Sequence, residues 1–212
     1  TSFFGTDLRD ANMQSTVLKN VDLSYADMRG MEGPNRMGVS TTTNTIMQDG
    51  GISGGALTMD SGDELIIRPH SKYSVFIEED SDVGEGILIF DEITSDSSHA
   101  DIVARGATLD ISDASIVFRF DESEETFVGS YLLFSTDLDG ILETGSLSRD
   151  DFSVLYWDSS EFEGIWDISI DSNSVYLNIS SIPEPSSYAA FLGVCAIVIG
   201  MCRKKRRFRR EN

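Results

Sequence analysis

The chain has 212 residues, enough to bury a sizeable core, and sets 36 acids against 16 bases for a formal net charge of −20. Seven of the sixteen bases fall after residue 202, so residues 1–182 keep only nine of them while holding all but two of the acids. A body this negative repels phosphate backbones, which excludes nucleic acid as its partner. Its two cysteines, Cys195 and Cys202, both lie near the C-terminal end, which leaves the body without disulfides or Cys-based metal or nucleophile chemistry.

Residues 1–30 divide into fives: TSFFG, TDLRD, ANMQS, TVLKN, VDLSY, ADMRG. The central position is always large and apolar (Phe3, Leu8, Met13, Leu18, Leu23, Met28), and two residues earlier stands a small or β-branched one (Thr1, Thr6, Ala11, Thr16, Val21, Ala26). A strict period of five suits neither an α-helix nor a flat strand. It resembles the pentapeptide-repeat family, A(D/N)LXX. That resemblance implies a four-sided right-handed β-helix in which the central residue points inward and the repeat serves mainly as scaffold. Six units make about one and a half coils, the end of a solenoid or a short cap on the rest of the chain.

Residues 31–55 shift to Gly, Ser, Thr and Asn and read as a loop or irregular connection. From 56 to 180 short β-type runs recur with turn residues between them: ALTM (56–59), ELIIR (64–68), YSVFIE (73–78), GILIF (86–90), DIVAR (101–105), TLDI (108–111), SIVFRF (115–120), SYLLF (130–134), FSVLY (152–156), IWDISI (165–170) and SVYLNI (174–179). Ile116 and Phe118 alternate with Val117 and Arg119, and Val175, Leu177 and Ile179 share a face. Similar phrases, Gly-Ala-Leu-Thr-Met-Asp at 55–60 and Gly-Ala-Thr-Leu-Asp-Ile at 106–111, favour stacked rungs. The expected fold is all-β: a right-handed β-helix or solenoid whose last strands fold over as a β-rich cap, with a β-sandwich body as the alternative.

Candidates for chemistry are weak. His70 and His99 are the only histidines and are not at ligand spacing, so no metal site and no cofactor are expected. No Gly-x-Ser-x-Gly elbow gives a serine nucleophile context. Asp137-Leu138-Asp139-Gly140 resembles part of a Ca²⁺ loop but reads better as a β-turn, because Ile141 and Leu142 break the series of oxygen ligands. The acidic runs 78–80 and 121–125 read as solvated loops or protection against edge pairing. Gly50-Gly51 and Gly54-Gly55 lack the Lys of a phosphate loop. Tyr131, Tyr156, Trp157 and Trp166 would carry a carbohydrate-binding face if they form an exposed row. Arg68, Lys72, Arg105 and Arg119 are the only central cations, too few for a lyase that must neutralise an acidic sugar. The protein is not expected to be an enzyme.

The C-terminal end carries the most specific signal. Residues 181–187 form a linker holding Pro183-Glu184-Pro185, and two prolines so close keep the backbone extended. Residues 188–202, Tyr188 to Cys202, are uncharged, and from Pro185 the uncharged stretch reaches eighteen residues. As a helix that is about 27 Å, enough for a thin hydrocarbon core. Residues 203–212 come next, with Arg203, Lys204, Lys205, Arg206, Arg207, Arg209 and Arg210, a membrane-proximal basic cluster that belongs on the cytoplasmic side. This order closely resembles the PEP-CTERM sorting signal of Gram-negative bacteria, in its Verrucomicrobia-type form. The resemblance implies recognition at Pro183, Glu184 and Pro185 by an exosortase, a membrane protease-transferase. It further implies transient insertion in the inner membrane, then release to the cell surface or extracellular matrix. The chain begins at Thr1, so any export signal is expected upstream. The expected function is structural or adhesive, with a carbohydrate-binding module that takes an extracellular polysaccharide as the alternative, and a β-helix polysaccharide-degrading enzyme behind it.

Overall fold

A computed structural model describes residues 1–34, 36–38, 41–94, 100–120, 128–137, 139–145, 147–156, 158–162 and 164–181. The chain starts as a square coil. Residues 2, 7, 12 and 17 each pair in parallel with a residue 19 or 20 positions on, as Ser2↔Asp22, Asp7↔Asp27, Asn12↔Glu32 and β1 (Val17–Leu18) with β2 (Arg36–Met37). Four bridges per turn give four sides. Five corners are turns closed from the central residue of one pentad to the first of the next: Thr6 N–H donates to Phe3 C=O at 3.1 Å, and Ala26 to Leu23 at 3.0 Å. The last residue of the pentad takes a left-handed conformation in five of the six units, at Gly5, Asp10, Asn20, Tyr25 and Gly30 (φ 53 to 69°). Gly, Asn and Asp adopt that conformation at least cost; Tyr25 is held there by packing. Leu8, Leu18, Leu23 and Met28 are buried and, with Val21 and Met31, form a small core of their own.

The stretch 31–55 differs from the loop expected of it. Asp22↔Thr41 and Asp27↔Ile46 carry the square ladder onward. Its polar composition is misleading because the side chains supply bonds the backbone lacks. Thr45 Oγ1 donates to Leu23 C=O at 2.7 Å, and the Asn44 amide both donates to Thr58 C=O (2.6 Å) and accepts from Thr58 N–H (3.2 Å). Burying Asn44 and Thr45 is tolerable once those bonds are made.

Beyond Ile52 the coil becomes three-sided. Parallel sheets stack β4 (Val75–Ile77), β7 (Ile102–Arg105) and β10 (Gly129–Asp137) on one side. The second side stacks β5 (Ser81–Asp82), β8 (Thr108–Asp110) and β11 (Ile141–Glu143). The third stacks β3 (Glu64–Ile67), β6 (Ile87–Ile93), β9 (Ser115–Phe120) and β12 (Phe152–Tyr156). Successive coils lengthen, from 23 residues at Glu64↔Ile87 to 28 at Ile87↔Ser115 and 36 at Ile116↔Phe152. Inside, like residues stack in columns: Leu65, Leu88, Ile116 and Phe152 in one, Ile67, Phe90, Phe118 and Val154 in the next, all buried. Alternation along each strand dictates these columns, as expected for β9 and for Val175, Leu177 and Ile179. The phrases at 55–60 and 106–111 stack one residue out of their apparent alignment: Thr58 pairs Asp82 and Asp82 pairs Asp110, which places Leu57 over Leu109 and Met59 over Ile111, four buried residues.

The far end is closed by antiparallel pairing. β14 (Ser174–Ser181) joins the free edge of β10, and β13 (Ile165–Ile170) lies outside it. A second hairpin covers β12, with Phe162 N–H donating to Val154 C=O at 3.0 Å and Tyr156 N–H to Ser160 C=O at 2.9 Å. The fold is thus all-β with mostly parallel sheets in β-helix-like coils, not a sandwich. Pro183–Pro185, the apolar run Tyr188–Cys202 and the cluster Arg203–Arg207 lie outside the described residues. Among the described ones, no helix is long and apolar enough to cross a membrane.

Candidate functional site

The connection between β3 and β4, residues 68–74, folds back over the square coils, where two arginines grip it. Arg29 is fully buried; its Nε donates to Asp27 Oδ1 at 3.0 Å and its Nη2 to Asp27 Oδ2 at 2.6 Å. The same guanidinium reaches across to Tyr73 C=O (2.9 Å) and Arg68 C=O (2.6 Å). One coil earlier Arg9 repeats the arrangement, pairing Asp7 and Glu92 at 2.8 Å each and donating to Pro69 C=O. Burial works upward on the Asp7 carboxyl, but the hydrogen bonds and charge of Arg9 outweigh it and hold the group below its ordinary value. Sequence reasoning missed this clasp. The signal was available: Asp at the second and Arg at the fourth pentad position, recurring twenty residues apart.

His70 belongs to the clasp and not to a metal site. Its Nδ1 accepts from Lys72 and Tyr73 N–H at 3.1 Å, its ring stacks on Tyr73, and its Nε2 lies 3.4 Å from Asp10 Oδ1. Gly30 makes room: a Cβ there would overlap Asp10 Oδ1 and sit 3.0 Å from His70 Nε2. His99 lies outside the described residues, as do Leu138, Trp157 and the acidic run 121–125. Among the described residues no group of three or more His, Cys, Asp or Glu could hold a metal ion.

The remaining candidates resolve into packing. Asp137 C=O accepts from Gly140 N–H at 3.2 Å in a β-turn between β10 and β11. Asp82 and Asp110, stacked in register with Glu143, each accept from the N–H two residues on (Gly84 and Ser112, 2.9 Å), so these acids shape corners. All four central cations are engaged. Arg68 and Arg119 share Asp91 (3.6 and 3.3 Å), Arg105 lies 3.7 Å above the Phe76 ring and Lys72 5.1 Å above Tyr73. Tyr131 packs on Phe118 and Phe120, Tyr156 on Phe162, and Trp166 lies under Arg149, so these aromatics form no open row.

The body hands over to the C-terminal segment at the end of β14. Through Ile179 this strand is paired on both sides, to Gly129 of β10 and Trp166 of β13, and Ile179 is 2% exposed. The next described pair is Ile165↔Ser181, across a register shift at Ile165/Trp166, with Ile165 59% exposed. Pro183 stands two residues past that last pair.

The family model described as pentapeptide repeats (8 copies) matches residues 1–31. Residues 1–31 are pentapeptide repeats. No curated protein and no solved structure matches the chain.

Tyr25, the last residue of the fifth pentapeptide, ties the repeats to the three-sided coils through its hydroxyl, which donates to Asp63 Oδ2 at 2.6 Å. Burial, aided by the Asp63 carboxylate, pushes the phenol up to about 12, and the donated bond holds Asp63 below its ordinary value. A tyrosine that keeps its proton longer when folded adds stability that is whole below about pH 10 and is lost as pH climbs through about 12. Spectrophotometric titration should therefore show a tyrosine ionising near 12, and Tyr25→Phe should remove that step. An unchanged titration curve in Tyr25→Phe would refute the assignment.

Proposed function

We propose that this chain is an exported bacterial surface or extracellular-matrix protein of structural or adhesive type, delivered by a C-terminal PEP-CTERM signal and processed by an exosortase-type membrane protease. The observation that carries the reading is the order of features immediately after the last strand. Pro183-Glu184-Pro185 comes first, then an uncharged run to Cys202, then seven cations between Arg203 and Arg210. The run is long enough for a transmembrane helix of about 27 Å. The cations hold its C-terminal end in the cytoplasm, which leaves the acidic body outside.

The fold is consistent with such cargo. Scission near Pro183–Pro185 leaves every described strand in place, the last of them, β14, ending at Ser181. The coils are right-handed in this reading, as parallel crossovers almost always are. A continuous backbone ladder with its central cations paired or stacked suits a spacer or matrix component. The carbohydrate-binding alternative lacks support from Tyr131, Tyr156 and Trp166, which are spent on the core.

The test is the intact mass of the mature protein recovered from its host's surface and medium. A C-terminus between Pro183 and Ser187 is expected. A mass that runs on to Asn212 would instead make the tail a permanent single-pass anchor and defeat the processing step.

A further inference from the structure

We propose that β13 is a self-pairing edge, to which a second copy of this chain adds its own β13, antiparallel and centred on Ile168. The proposal stands apart from how the tail is processed.

The backbone supplies the first reason. β13 ends its sheet, whose order is β13-β14-β10-β7-β4, and among the described residues only β14 pairs with it. Along an antiparallel strand the N–H and C=O of one residue point the same way, and that direction alternates from residue to residue. Asp171 N–H donates inward to Ser174 C=O at 3.0 Å, so Ser169 and Asp167 face β14 as well. Trp166, Ile168 and Ile170 therefore turn their backbone groups outward. Ile168 N–H accordingly takes the Asp167 carboxylate as acceptor, at 2.9 Å. Such an edge is a template for another strand, and this one carries neither proline nor lysine to blunt it.

The side chains supply the second reason, and they select the occupant. All three outward residues find outward residues on another copy only when Ile168 faces the partner's Ile168 and Trp166 faces the partner's Ile170. Each of those pairs then exchanges both its N–H···O bonds. The same register sets Asp167 opposite the partner's Ser169. Ser169 Oγ already accepts from Asn178 Nδ2 at 2.7 Å, so its own proton can go to a carboxylate. Trp166 meanwhile covers an isoleucine that is 40% exposed in the single chain. Slipping the pair by two residues sets Asp167 against the partner's Asp167 one way and the partner's Asp171 the other. Like charges directly opposite oppose pairing, so the one charge in β13 selects the centred register. Repulsion between two acidic bodies is eased at the seam by Arg149, whose guanidinium lies 4.3 Å above the Trp166 ring.

The test follows the protein mass of the full chain in detergent by light scattering, over a dilution series of about 1 μM to 1 mM. The chain is kept reduced so that Cys195 and Cys202 cannot link copies. We expect a dimer at the concentrated end. Ser169→Glu places a carboxylate opposite the partner's Asp167 and should halve the mass there. Adding Asp167→Lys to Ser169→Glu should restore the dimer, because opposite charges then face each other across the seam. In the unmodified chain the Ile168 and Ile170 amides should also exchange more slowly as concentration rises, while β6 and β9 amides stay unchanged in all three chains. The proposal is overturned by a chain that stays monomeric throughout, or by outward amides indifferent to concentration. It is equally overturned if Ser169→Glu dimerises as before, or if Asp167→Lys fails to rescue it.

Discussion

Replacing Arg29 with alanine is expected to destabilise the protein by about 3–5 kcal/mol, because it strands Asp27, 2% exposed, without its counter-charge. The loss goes beyond the pair. Tyr73 and Arg68 carbonyls also lose their donor, and both bonds tie the second pentapeptide coil to the connection 68–74. Unfolding should consequently become uneven. Amides of the pentapeptide repeats and of 68–74 should exchange much faster in Arg29→Ala, while those of β6 and β9 keep their protection. A uniform loss of protection, or a urea midpoint close to that of the unmodified chain, would refute the clasp. Arg29→Lys is a sharper control: it keeps the charge but cannot donate to Asp27, Tyr73 and Arg68 at once, so it should recover only a fraction of the loss.

The clasp shows what a linear reading could and could not deliver. The pentad period was legible because it is imposed locally: every fifth residue from Phe3 to Met28 is large and apolar, and Leu8, Leu18, Leu23 and Met28 are buried inside the coil. Strands with four or more alternating residues were legible too; β9, β12 and β13 fall on the expected spans. In the three-sided coils the strands that escaped, β5 and β11, have two and three residues, too few for any period to register. The second square coil escaped for a different reason. Asn44 and Thr45 look like loop residues, and only the stacked Thr58 and Leu23 backbones reveal that their polar atoms are satisfied inside. Asp27 and Arg29 repeat Asp7 and Arg9, which marks them as a pair, but nothing in their own segment tells that 68–74 folds over and buries them. The opposite holds for the sorting signal proposed at Pro183-Glu184-Pro185: a motif read along the chain is linear and needs no fold to be seen.

Phe90→Ala is expected to cost about 3–5 kcal/mol, at the upper end for a core truncation. Phe90 is fully buried between Ile67 and Phe118 in one column and meets the Phe134 ring edge-on at 5.4 Å across the coil interior. Collapse into the cavity is blocked on two sides. The coils above and below are tied by in-register ladders, and directly after Phe90 the chain makes a register shift to Ile93, where Glu92 takes φ 57°. That shift aims Asp91 at Arg68 and Arg119 and Glu92 at Arg68 and Arg9, so relaxation of β6 would strain ion pairs reaching three other segments. Stability in a stacked fold is close to a sum of each coil and its neighbour interfaces, so a weakened middle coil should also divide the cooperative unit. Urea unfolding of Phe90→Ala should show a lower m-value as well as a lower midpoint. Phe90→Leu, which refills most of the volume, should lose less than half as much and keep the m-value. If both variants unfold with the unmodified slope and the alanine costs under about 1 kcal/mol, the column is not the axis that holds the three-sided coils together.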